Sequence, residues 1–494
     1  MRRLLIGLLA VSLLIAAGCT GVELPQTGTT QTTIASTGSV IETPTQPTVV
    51  VTLPATFPAQ PTVIPTLPTT VPTQPTTIPT WPTTMPTQPI VPTTVPAPPE
   101  TEKPQTTIAP TAPAPTEPLP ELKPGTIWEV HGCDSFITLR KKPNVSADGI
   151  RTISKGEEVE LLGWYGRFAK VRYRGSTGYV AGGYIKPADG DYLDDALNMV
   201  QITDLYTYDQ MVEDMIAFEQ AYPELVELEI VGYSEWGTQI PVMRIGNADA
   251  QHHVLLHGSI HAREYFTTWL LMAMVDYWLD RDLESYGDVC YHIIPMVNPD
   301  GVSIAQSGVL PEELLWIYRS DVQNGYTSDD LTTYAQNWKA NGQGVDLNRN
   351  YPTNWMQEDA RSQPSSERYR GSEPFSAAET KALRDYTRKY PFAATVSYHT
   401  TGSVIYYEYG WKQPVNSLSK SLAKALSELT GYYVLGYNDA EPTGYKDWVI
   451  DSLDIPSVTM EIGSGAMPLD DRELYALFAR NCDTLAVIAQ FVCG

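Results

Sequence analysis

Residues 252–279 read HHVLLHGSIHAREYFTTWLLMAMVDYWL. The first six residues form a short apolar run, as expected for a strand that is buried on both faces of a sheet. Gly258 favours a turn, and the apolar stretch that begins at Phe266 is long enough for a helix. This stretch therefore predicts a buried strand, a short connection and a covering helix.

The same alternation of short strands and longer helices continues on both sides of this stretch. Three further apolar runs predict buried strands: CYHIIPMV (290–297), AATVSYH (393–399) and SVTMEI (457–462). Three longer stretches predict covering helices: YDQMVEDMIAFEQAYPELV (208–226), AAETKALRDYTRKY (377–390) and RELYALFARNCDTLAVIAQFV (472–492). Together they predict an α/β domain over residues 205–494 with a mixed, mostly parallel sheet. Ligands of such domains bind beyond the carboxyl ends of the strands.

The overall charge narrows the classes of partner. The chain has 494 residues and a formal net charge of −24 at pH 7. Nucleic-acid-binding proteins usually present basic patches, so this composition argues against a nucleic-acid partner. The length is sufficient for more than one domain.

The N-terminus has the pattern of an export signal. Residues 1–19 place two arginines before an apolar run and small residues before Cys19. The run IAAGC resembles a bacterial lipobox, which implies lipidation of Cys19 after cleavage. The alternative is a plain signal peptide with an incidental cysteine. We expect a lipid-anchored protein on the extracellular face of a bacterial membrane, reaching into the cell wall.

Residues 20–124 have the composition of a disordered linker. The segment is rich in Thr and Pro, as in PTQPTTIPTWPTTMPTQP (72–89), and it carries few charges. Such a stretch cannot bury a core and favours extended, partly polyproline II conformations. Fully extended at about 3.1 Å per residue, it would reach on the order of 300 Å. It therefore predicts a tether between a membrane anchor and the domains that follow.

Residues 126–187 resemble a bacterial SH3 domain. The resemblance rests on LRKKPNVSADGIRTISKGEEVELLG (139–163), VRYRGSTGYV (171–180) and the closing YIKP. It implies a small β-barrel, and many members of that family bind peptidoglycan, so the cell wall is an expected partner. Four aromatic residues are candidates for a binding groove, although core or hairpin-pair positions are the favoured interpretation: Trp164, Tyr165, Tyr173 and Tyr179.

The five cysteines do not form a metal-binding pattern. None of them has C-x-x-C spacing, so a cysteine zinc site is not predicted. Cys482 and Cys493 could form a disulfide in an exported protein, or they could remain as thiols on a C-terminal helix. We expect free thiols.

Three residues form a candidate metal site. His261 and Glu264 are three positions apart in HARE, so a helix or tight turn beginning at Ala262 would let both side chains reach one ion. His399 follows the predicted strand AATVSY and would supply the third ligand. Two imidazoles and a carboxylate are a typical ligand set for a catalytic zinc, which keeps one further position open.

Glu461 is a candidate general base. It lies in the otherwise apolar run VTMEIG, where a buried carboxylate without a partner would be costly. A nearby metal ion would explain its presence, and the alternative is an inward salt bridge to another cation.

In the sequence between the proposed ligands, GVDLNRN places Asn348 and Arg349 where they could hold a carboxylate, and Asp346 could orient a ligand histidine.

These residues together resemble the zinc carboxypeptidase family, the M14 metallocarboxypeptidases. The resemblance runs from about Tyr206 to the C-terminus, on the ordered motifs YTYDQM, HARE, NPDG, GVDLNRN, SYH and DW…TMEIG. It implies an α/β/α sandwich around a mixed, mostly parallel eight-stranded sheet, and one Zn²⁺ held by the three candidate ligands. It further implies base, substrate-binding and orienting roles for Glu461, Asn348, Arg349, Arg263 and Asp346, with Asp346 orienting His261.

Two positions depart from the pancreatic type of this family. Those enzymes carry an arginine that stabilises the oxyanion, and here Lys339 follows Trp338 at the corresponding place. Lysine can still donate to an oxyanion, as a point charge. Those enzymes also cap the substrate with a mobile tyrosine, for which Tyr437 is the candidate and Tyr445 the alternative.

The motifs WKAN…GVDLNRNYP and GYKDW resemble the bacterial branch that cleaves γ-D-glutamyl–diamino acid bonds. Lys446 occupies the position that sets side-chain preference, where a cation would favour an acidic group; the alternative is a lysine head in solvent. We expect a wall-associated zinc peptidase acting on peptidoglycan stem peptides. The alternatives are a general carboxypeptidase that releases C-terminal residues from L-peptides, and a non-catalytic wall-binding protein.

Overall fold

The parts of the chain that bear the predicted folded domains are described by a computed structural model. It covers residues 125–189, 196–201, 205–279, 281, 288–356, 360–436 and 443–494. The predicted signal peptide, the lipidation site Cys19, the linker and the candidate capping residue Tyr437 lie outside the described residues. These predictions therefore stay predictions.

The N-terminal part of the described chain is a small SH3-like β-domain, as the resemblance implied. Its strands are β1 Ile127–Val130, β2 Phe136–Arg140, β3 Gly149–Ser154, β4 Glu158–Tyr165, β5 Phe168–Tyr173, β6 Ser176–Ala181 and β7 Ile185–Pro187. They form one sheet in the order β3-β2-β6-β5-β4-β1-β7. Only Ile153 of the six residues of β3 is buried, so this strand lacks an alternating apolar pattern.

The aromatic residues of this β-domain serve mainly as packing pairs. Trp164 packs edge-on against Trp128 with the ring centroids 5.4 Å apart, and Tyr165 packs in the same way against Tyr179, also at 5.4 Å. Tyr173 is buried in the core. The packing of Trp164 and Tyr173 agrees with the favoured interpretation, whereas Tyr165 is 39% exposed.

The C-terminal domain is built on an eight-stranded mixed sheet. Its strands are β8 Val226–Tyr233, β9 Gln239–Ile245, β10 His252–His257, β11 Val289–Ile294, β12 Phe392–Thr400, β13 Val404–Tyr406, β14 Tyr433–Leu435 and β15 Ser457–Ile462. The order is β14-β13-β15-β12-β10-β11-β9-β8. In the described chain four neighbouring pairs are parallel and three are antiparallel, which confirms a mostly parallel mixed sheet.

Helices cover this sheet. They are α1 Tyr208–Ala221, α2 Phe266–Leu279, α3 Pro299–Ser307, α4 Leu315–Gln323, α5 Leu331–Gln336, α6 Ala378–Lys389, α7 Val415–Thr430, α8 Tyr445–Trp448, α9 Leu474–Asn481 and α10 Thr484–Cys493. Alternate residues of β10 pack into two different hydrophobic cores, Val254 and Leu256 into one and Leu255 into the other. The sheet is therefore buried on both faces, as its apolar strands predicted.

Local sequence explains where the helices begin and how they pack. Helix α1 begins at a capping box in which Thr207 accepts from the backbone N–H of Gln210 and the Gln210 side chain binds the backbone of Thr207. In α2 every residue except Tyr277 is buried. A helix that is buried on nearly all sides belongs in a protein interior, which agrees with its largely hydrophobic sequence.

The C-terminal segment differs from the prediction of one helix. It forms two helices, α9 and α10, which are separated at Cys482 and Asp483. The segment Asp471–Cys493 is long and apolar enough to cross a membrane, but most of it is buried against the rest of the domain, so it is a core element. Cys482 and Cys493 are both free thiols, as expected.

The sheet places the predicted site residues at one edge. Strands β10, β12 and β15 are neighbours and run parallel, so their carboxyl ends lie side by side. His399 and Glu461 are the second-last residues of β12 and β15 and are partners in the strand register. His261 follows the end of β10 by four residues. The site therefore lies where parallel α/β folds generally bind ligands.

Candidate metal centre

The structure brings the three predicted metal ligands together. His261 Nδ1 lies 2.8 Å from Glu264 Oε1, and His399 Nδ1 lies 2.9 Å from Glu264 Oε2. The two Nδ1 atoms are 3.1 Å apart. All three side chains are buried, so residues from two distant parts of the chain present their donor atoms to a single point.

A short helical turn positions His261 and Glu264. Residues Ala262–Glu264 form a 3₁₀ helix directly after His261, which confirms the predicted turn. The Thr267 hydroxyl donates to the Glu264 carbonyl at 2.9 Å, and the Ala262 N–H donates to the Lys339 carbonyl at 3.2 Å. These contacts fix the backbone, so the spacing of three residues turns both side chains toward the same point.

The residues present fit a zinc ion. Donors bound to one tetrahedral zinc at about 2.0–2.1 Å are about 3.3 Å from one another, and the two nitrogens and the two oxygens of Glu264 are separated here by 2.8, 2.9 and 3.1 Å, slightly closer than that. The two imidazoles face each other through their Nδ1 atoms, an arrangement in which a cation satisfies both lone pairs. Burial alone would raise the pKa of Glu264, but the two histidines hold it well below its usual range, so the carboxylate is ionised.

Asp346 lies behind His261, as predicted. Its Oδ1 atom is 3.3 Å from His261 Nε2, while its Oδ2 atom accepts the backbone N–H of Arg368 at 2.9 Å. Burial would raise the pKa of Asp346, but the charge of Lys339 and the contact with His261 hold it well below its usual range. An ionised carboxylate on Nε2 fixes the ring orientation and leaves Nδ1 as the metal-binding atom.

Replacing Asp346 with Asn is expected to weaken zinc binding by about 10- to 100-fold, because the neutral amide no longer holds His261 in its metal-binding orientation. Competition with a chromogenic chelator measures the affinity. The matched control is Asp385→Asn on the exposed face of α6, which should keep the wild-type affinity. Unchanged zinc affinity in the Asp346 variant would show that it does not orient the ligand.

Glu461 stands beside the ligand cluster without being part of it. Its register partners are His399 on β12 and Val404 on β13, and its side chain is partly buried. Burial and the negative charge of Glu264 raise the pKa of Glu461 to about 7, although His399 and Lys339 act in the opposite direction. A carboxylate with a pKa near neutrality suits a group that accepts and then returns a proton.

The residues predicted to bind substrate lie on the loop after Asp346. Asn348 Oδ1 accepts the backbone N–H of Tyr445 at 3.0 Å, which leaves the NH₂ group of Asn348 as the donor for a ligand. Arg349 is partly buried, and its charge contributes to the lowered pKa of Asp346. The positive charge of Lys339 helps to lower the pKa of Asp346 and partly offsets the rise in the pKa of Glu461, so its ammonium group is close to the site.

Arg263 is held in an ionic cluster next to the metal ligands. It donates to the Asn337 carbonyl at 3.2 Å and its Nη2 atom is 3.6 Å from Glu367. Glu367 is also within ion-pair distance of Arg361 and Arg368. The structure therefore keeps Arg263 near the ligands, with its guanidinium already paired to a carboxylate.

Lys446 differs from both sequence-based interpretations. Its ammonium group is buried, pairs with the neighbouring Asp447 and donates to the Glu408 carbonyl at 2.9 Å. It neither reaches solvent nor presents an unbalanced positive charge. Tyr445, the alternative capping tyrosine, is buried with its hydroxyl 3.0 Å from Thr387, which identifies it as a core residue.

One contact to a candidate metal ligand was not predicted from the sequence, and His257 was not proposed as a ligand. The backbone N–H of Thr400 donates to Glu264 Oε2 at 3.2 Å, and no side-chain signal in the sequence could have indicated a backbone donor. His257 was not proposed as a ligand, and its Nε2 atom contacts the Ser397 hydroxyl at 2.9 Å instead. Burial and the nearby His399 lower the pKa of His257 to about 3, so it stays neutral.

A second group of histidine and cysteine side chains in the described chain is better explained as a hydrogen-bonded core network. His253, Cys290 and His292 have donor atoms within 4.8 Å of one another. However, His253 Nδ1 contacts His292 Nε2 at 2.9 Å, and His292 Nδ1 contacts the Tyr386 hydroxyl at 2.7 Å. Burial lowers the pKa of both histidines, and the positive charge of the nearby Arg244 lowers it further, which disfavours a further cation.

Comparisons with known proteins agree with this geometry. A family model described as zinc carboxypeptidase matches residues 211–480, and a bacterial SH3 domain model matches residues 135–186. The chain is 32% identical over 292 residues to gamma-D-glutamyl-L-diamino acid endopeptidase 1 of Lysinibacillus sphaericus, covering 55% of this chain and 69% of that protein. It is 26% identical over 261 residues to a zinc carboxypeptidase of Simulium vittatum, covering 48% of this chain and 78% of that protein.

The chain is also similar to a solved structure. Bovine thrombin-activatable fibrinolysis inhibitor, in complex with tick carboxypeptidase inhibitor, is similar with a TM-score of 0.47 and 21% sequence identity. The similarity covers 60% of this chain and 98% of that chain.

Proposed function

Because this chain belongs to the zinc carboxypeptidase family, we propose that it is an exported zinc peptidase that hydrolyses the γ-D-glutamyl–diamino acid bond of peptidoglycan stem peptides. The observation that carries the hydrolytic part of the proposal is the convergence of His261, Glu264 and His399 on one point beside Glu461. The choice of bond is supported by the similarity to the Lysinibacillus endopeptidase.

The cofactor of the family is zinc, which His261, Glu264 and His399 would hold and which supplies a Lewis acid that polarises the scissile carbonyl and activates water. Asp346 keeps His261 in the tautomer that presents Nδ1. Glu461 takes the proton of the attacking water and later returns it to the leaving amine. Burial raises the pKa of Glu461, which suits a carboxylate that both accepts and returns a proton.

We assign substrate anchoring to the loop that carries Asn348 and Arg349. A guanidinium fork and an amide donor together match the two oxygens of a carboxylate, which would hold the end of the peptide beside the metal. Lys339 is assigned to the oxyanion, because its positive charge acts on Glu461 and Asp346 at the same place. Arg263 adds a second cation at the rim of the site.

Lys446 contributes less to the choice of substrate than its position in the sequence indicated. Asp447 balances its charge, so an acidic substrate group would gain little net attraction there. Recognition of a diamino acid carboxylate is therefore assigned to Arg349, because Arg263 is likewise already paired, with Glu367. The proposal for the substrate depends on the relative and on Arg349, and not on Lys446.

We place the enzyme at the cell wall. The bacterial SH3 domain belongs to a family with wall-binding members, and a wall ligand would bring the peptidase to its substrate. The signal peptide, lipidation at Cys19 and the Thr/Pro-rich tether are sequence-based proposals that agree with this location.

A second candidate is a general carboxypeptidase that releases C-terminal residues from L-peptides. It is favoured by the similarity to the zinc carboxypeptidase of Simulium vittatum and by the absence of an unbalanced charge at Lys446. The same zinc, base and carboxylate anchor would serve both reactions.

Purified muropeptides distinguish these candidates. We expect mass spectrometry to show cleavage between γ-D-glutamate and the diamino acid, with much slower release of C-terminal residues from L-peptides. The Glu461→Gln protein, which lacks the base, is the control for contaminating activity. Cleavage of L-peptides alone would establish the second candidate. A zinc-loaded protein that is inactive on both substrate sets would identify a non-catalytic wall-binding protein.

A further inference from the structure

The SH3-like domain and the peptidase domain share part of one core. Ala476 and Ala479 of α9 pack into the hydrophobic cluster of the SH3-like domain, which contains Trp128 and Leu139. The next residue of α9, Arg480, is also buried. A helix of the peptidase domain therefore completes the core of the SH3-like domain.

Arg480 stabilises the contact between the two domains through hydrogen bonds to both. Its Nε atom donates to the Thr430 carbonyl at 2.7 Å, and its Nη2 atom donates to the Gly166 carbonyl of the SH3-like domain at 2.8 Å. The guanidinium carbon lies 4.6 Å from the ring centroid of Trp164 and 4.3 Å from that of Tyr432. A buried guanidinium with one hydrogen bond to each domain, placed between two aromatic rings, favours one relative position of the two domains.

The two backbones also meet directly. The Gly166 N–H donates to the Gly431 carbonyl at 2.8 Å. A Cβ atom at Gly431 would overlap Trp164, and one at Gly166 would overlap the ring of Tyr433. The φ angles of Gly166 and Gly431 are both positive, at 56° and 66° respectively. The interface therefore requires glycine on each side and leaves no room for the domains to shift.

Gly183 of the SH3-like domain lies against Glu473, which binds the loop next to the proposed base. Gly183 belongs to the turn Gly182–Tyr184 of the SH3-like domain, and a Cβ atom there would lie 2.7 Å from Cγ of Glu473. The φ angle of Gly183 is not positive, so the backbone conformation does not require glycine here. Glycine is required because a side chain would collide with Glu473. Glu473 is only 4% exposed, and the SH3-like domain forms part of its cover.

Glu473 in turn holds the loop that follows the strand of the proposed base. Its Oε2 atom accepts the backbone N–H of Ser464 at 2.9 Å and the Ser464 hydroxyl at 3.3 Å. The preceding carbonyl, that of Gly463, accepts from the Ser403 hydroxyl at 2.9 Å. Ser464 is three residues after Glu461, so these bonds fix the end of β15 next to the base.

We propose that Glu473 is a positioning residue for Glu461 and that the SH3-like domain supports it through Gly183. This proposal rests on the proposed function, because it requires Glu461 to act as the base. The cover that Gly183 provides keeps water from competing for the Glu473 carboxylate, and hydrogen bonds are stronger in such a dry environment. A base that moves by about 1 Å can lose about 100-fold in rate, so a fixed loop has a direct kinetic effect.

The test uses the full chain, with kcat counted per folded, zinc-loaded molecule at a temperature well below unfolding. We expect Glu473→Ala and Gly183→Val to lower kcat by about 10- to 100-fold, with KM and zinc content near the wild-type values. Glu473→Gln should recover most of the rate, because its amide oxygen can still accept from Ser464. Gly156→Asn is the control, since Gly156 lies in a turn of the same domain with open space around it.

The proposal would be overturned if Glu473→Ala kept the wild-type kcat per zinc-loaded molecule and showed only a lower melting temperature. The contact would then affect stability alone. If Gly183→Val does not fold, Glu473→Ala still decides the positioning role, and the smaller change Gly183→Ala tests the support by the SH3-like domain, with a wild-type kcat refuting that part. Failure of the proposed function has a different signature, in which the wild-type enzyme cleaves no peptide or Glu461→Gln keeps its activity. An active wild type, an inactive Glu461→Gln and a normal Glu473→Ala would refute the positioning role alone.

Discussion

Glu461→Gln is expected to lower kcat by about 10²- to 10⁴-fold while the protein keeps its zinc. The substitution preserves the size of the side chain and removes the group that accepts the proton. Glu461 lies beside His399 in the strand register but is not among the three clustered donor atoms, so the metal ligands stay intact. Steady-state kinetics together with zinc analysis by mass spectrometry measure both quantities on the same preparation.

A matched control for this variant is Glu428→Gln, which alters the same type of side chain on α7, away from the site. It should keep both activity and zinc. If Glu461→Gln lost its zinc, Glu461 would have to be counted as a ligand, and the assignment of the base would be wrong. Residual activity near the wild-type level would exclude Glu461 from proton transfer.

His261→Ala should lose both zinc and activity. Removing one of three protein ligands leaves Glu264 and His399 to hold the ion, and two donors are too few for a stable catalytic site. A wild-type protein at a free zinc concentration 100 times its Kd gains about 2.7 kcal/mol of stability from the metal. The variant should lack this gain, so thermal unfolding with zinc and with a chelator should give the same melting temperature.

His252→Ala serves as the control, because His252 begins β10 at the opposite end of the strand from the site. It should retain the zinc-dependent rise in melting temperature. A His261→Ala protein with one tightly bound zinc per chain would mean that the clustered side chains are not the metal site.

The sequence was sufficient to predict that the candidate ligands come together, because they lie at or just after strand ends. Short apolar runs indicate buried parallel strands, and parallel neighbours place their carboxyl ends at the same edge of a sheet. His399 and Glu461 follow this rule, and the H-x-x-E spacing of His261 and Glu264 needed only the turn that the structure shows. Each of these inferences depends on local pattern alone.

Contacts between distant segments could not be predicted in the same way. Nothing near Lys446 in the sequence shows that Asp447 and the Glu408 carbonyl would enclose its ammonium group. Likewise, the apolar pattern of the C-terminal segment is continuous across Cys482, although the structure divides it into two helices. In both cases tertiary packing, which a pattern along the chain does not record, decides the outcome.

The shared core between α9 and the SH3-like domain has a thermodynamic consequence. Two domains that complete one another's packing unfold together, so the energy of any ligand that binds one of them is added to the stability of both. A cell-wall fragment held by the SH3-like domain would therefore make the peptidase domain more resistant to heat and to proteolysis. Wall attachment and enzyme lifetime would be linked through the small residues at the interface of the two domains.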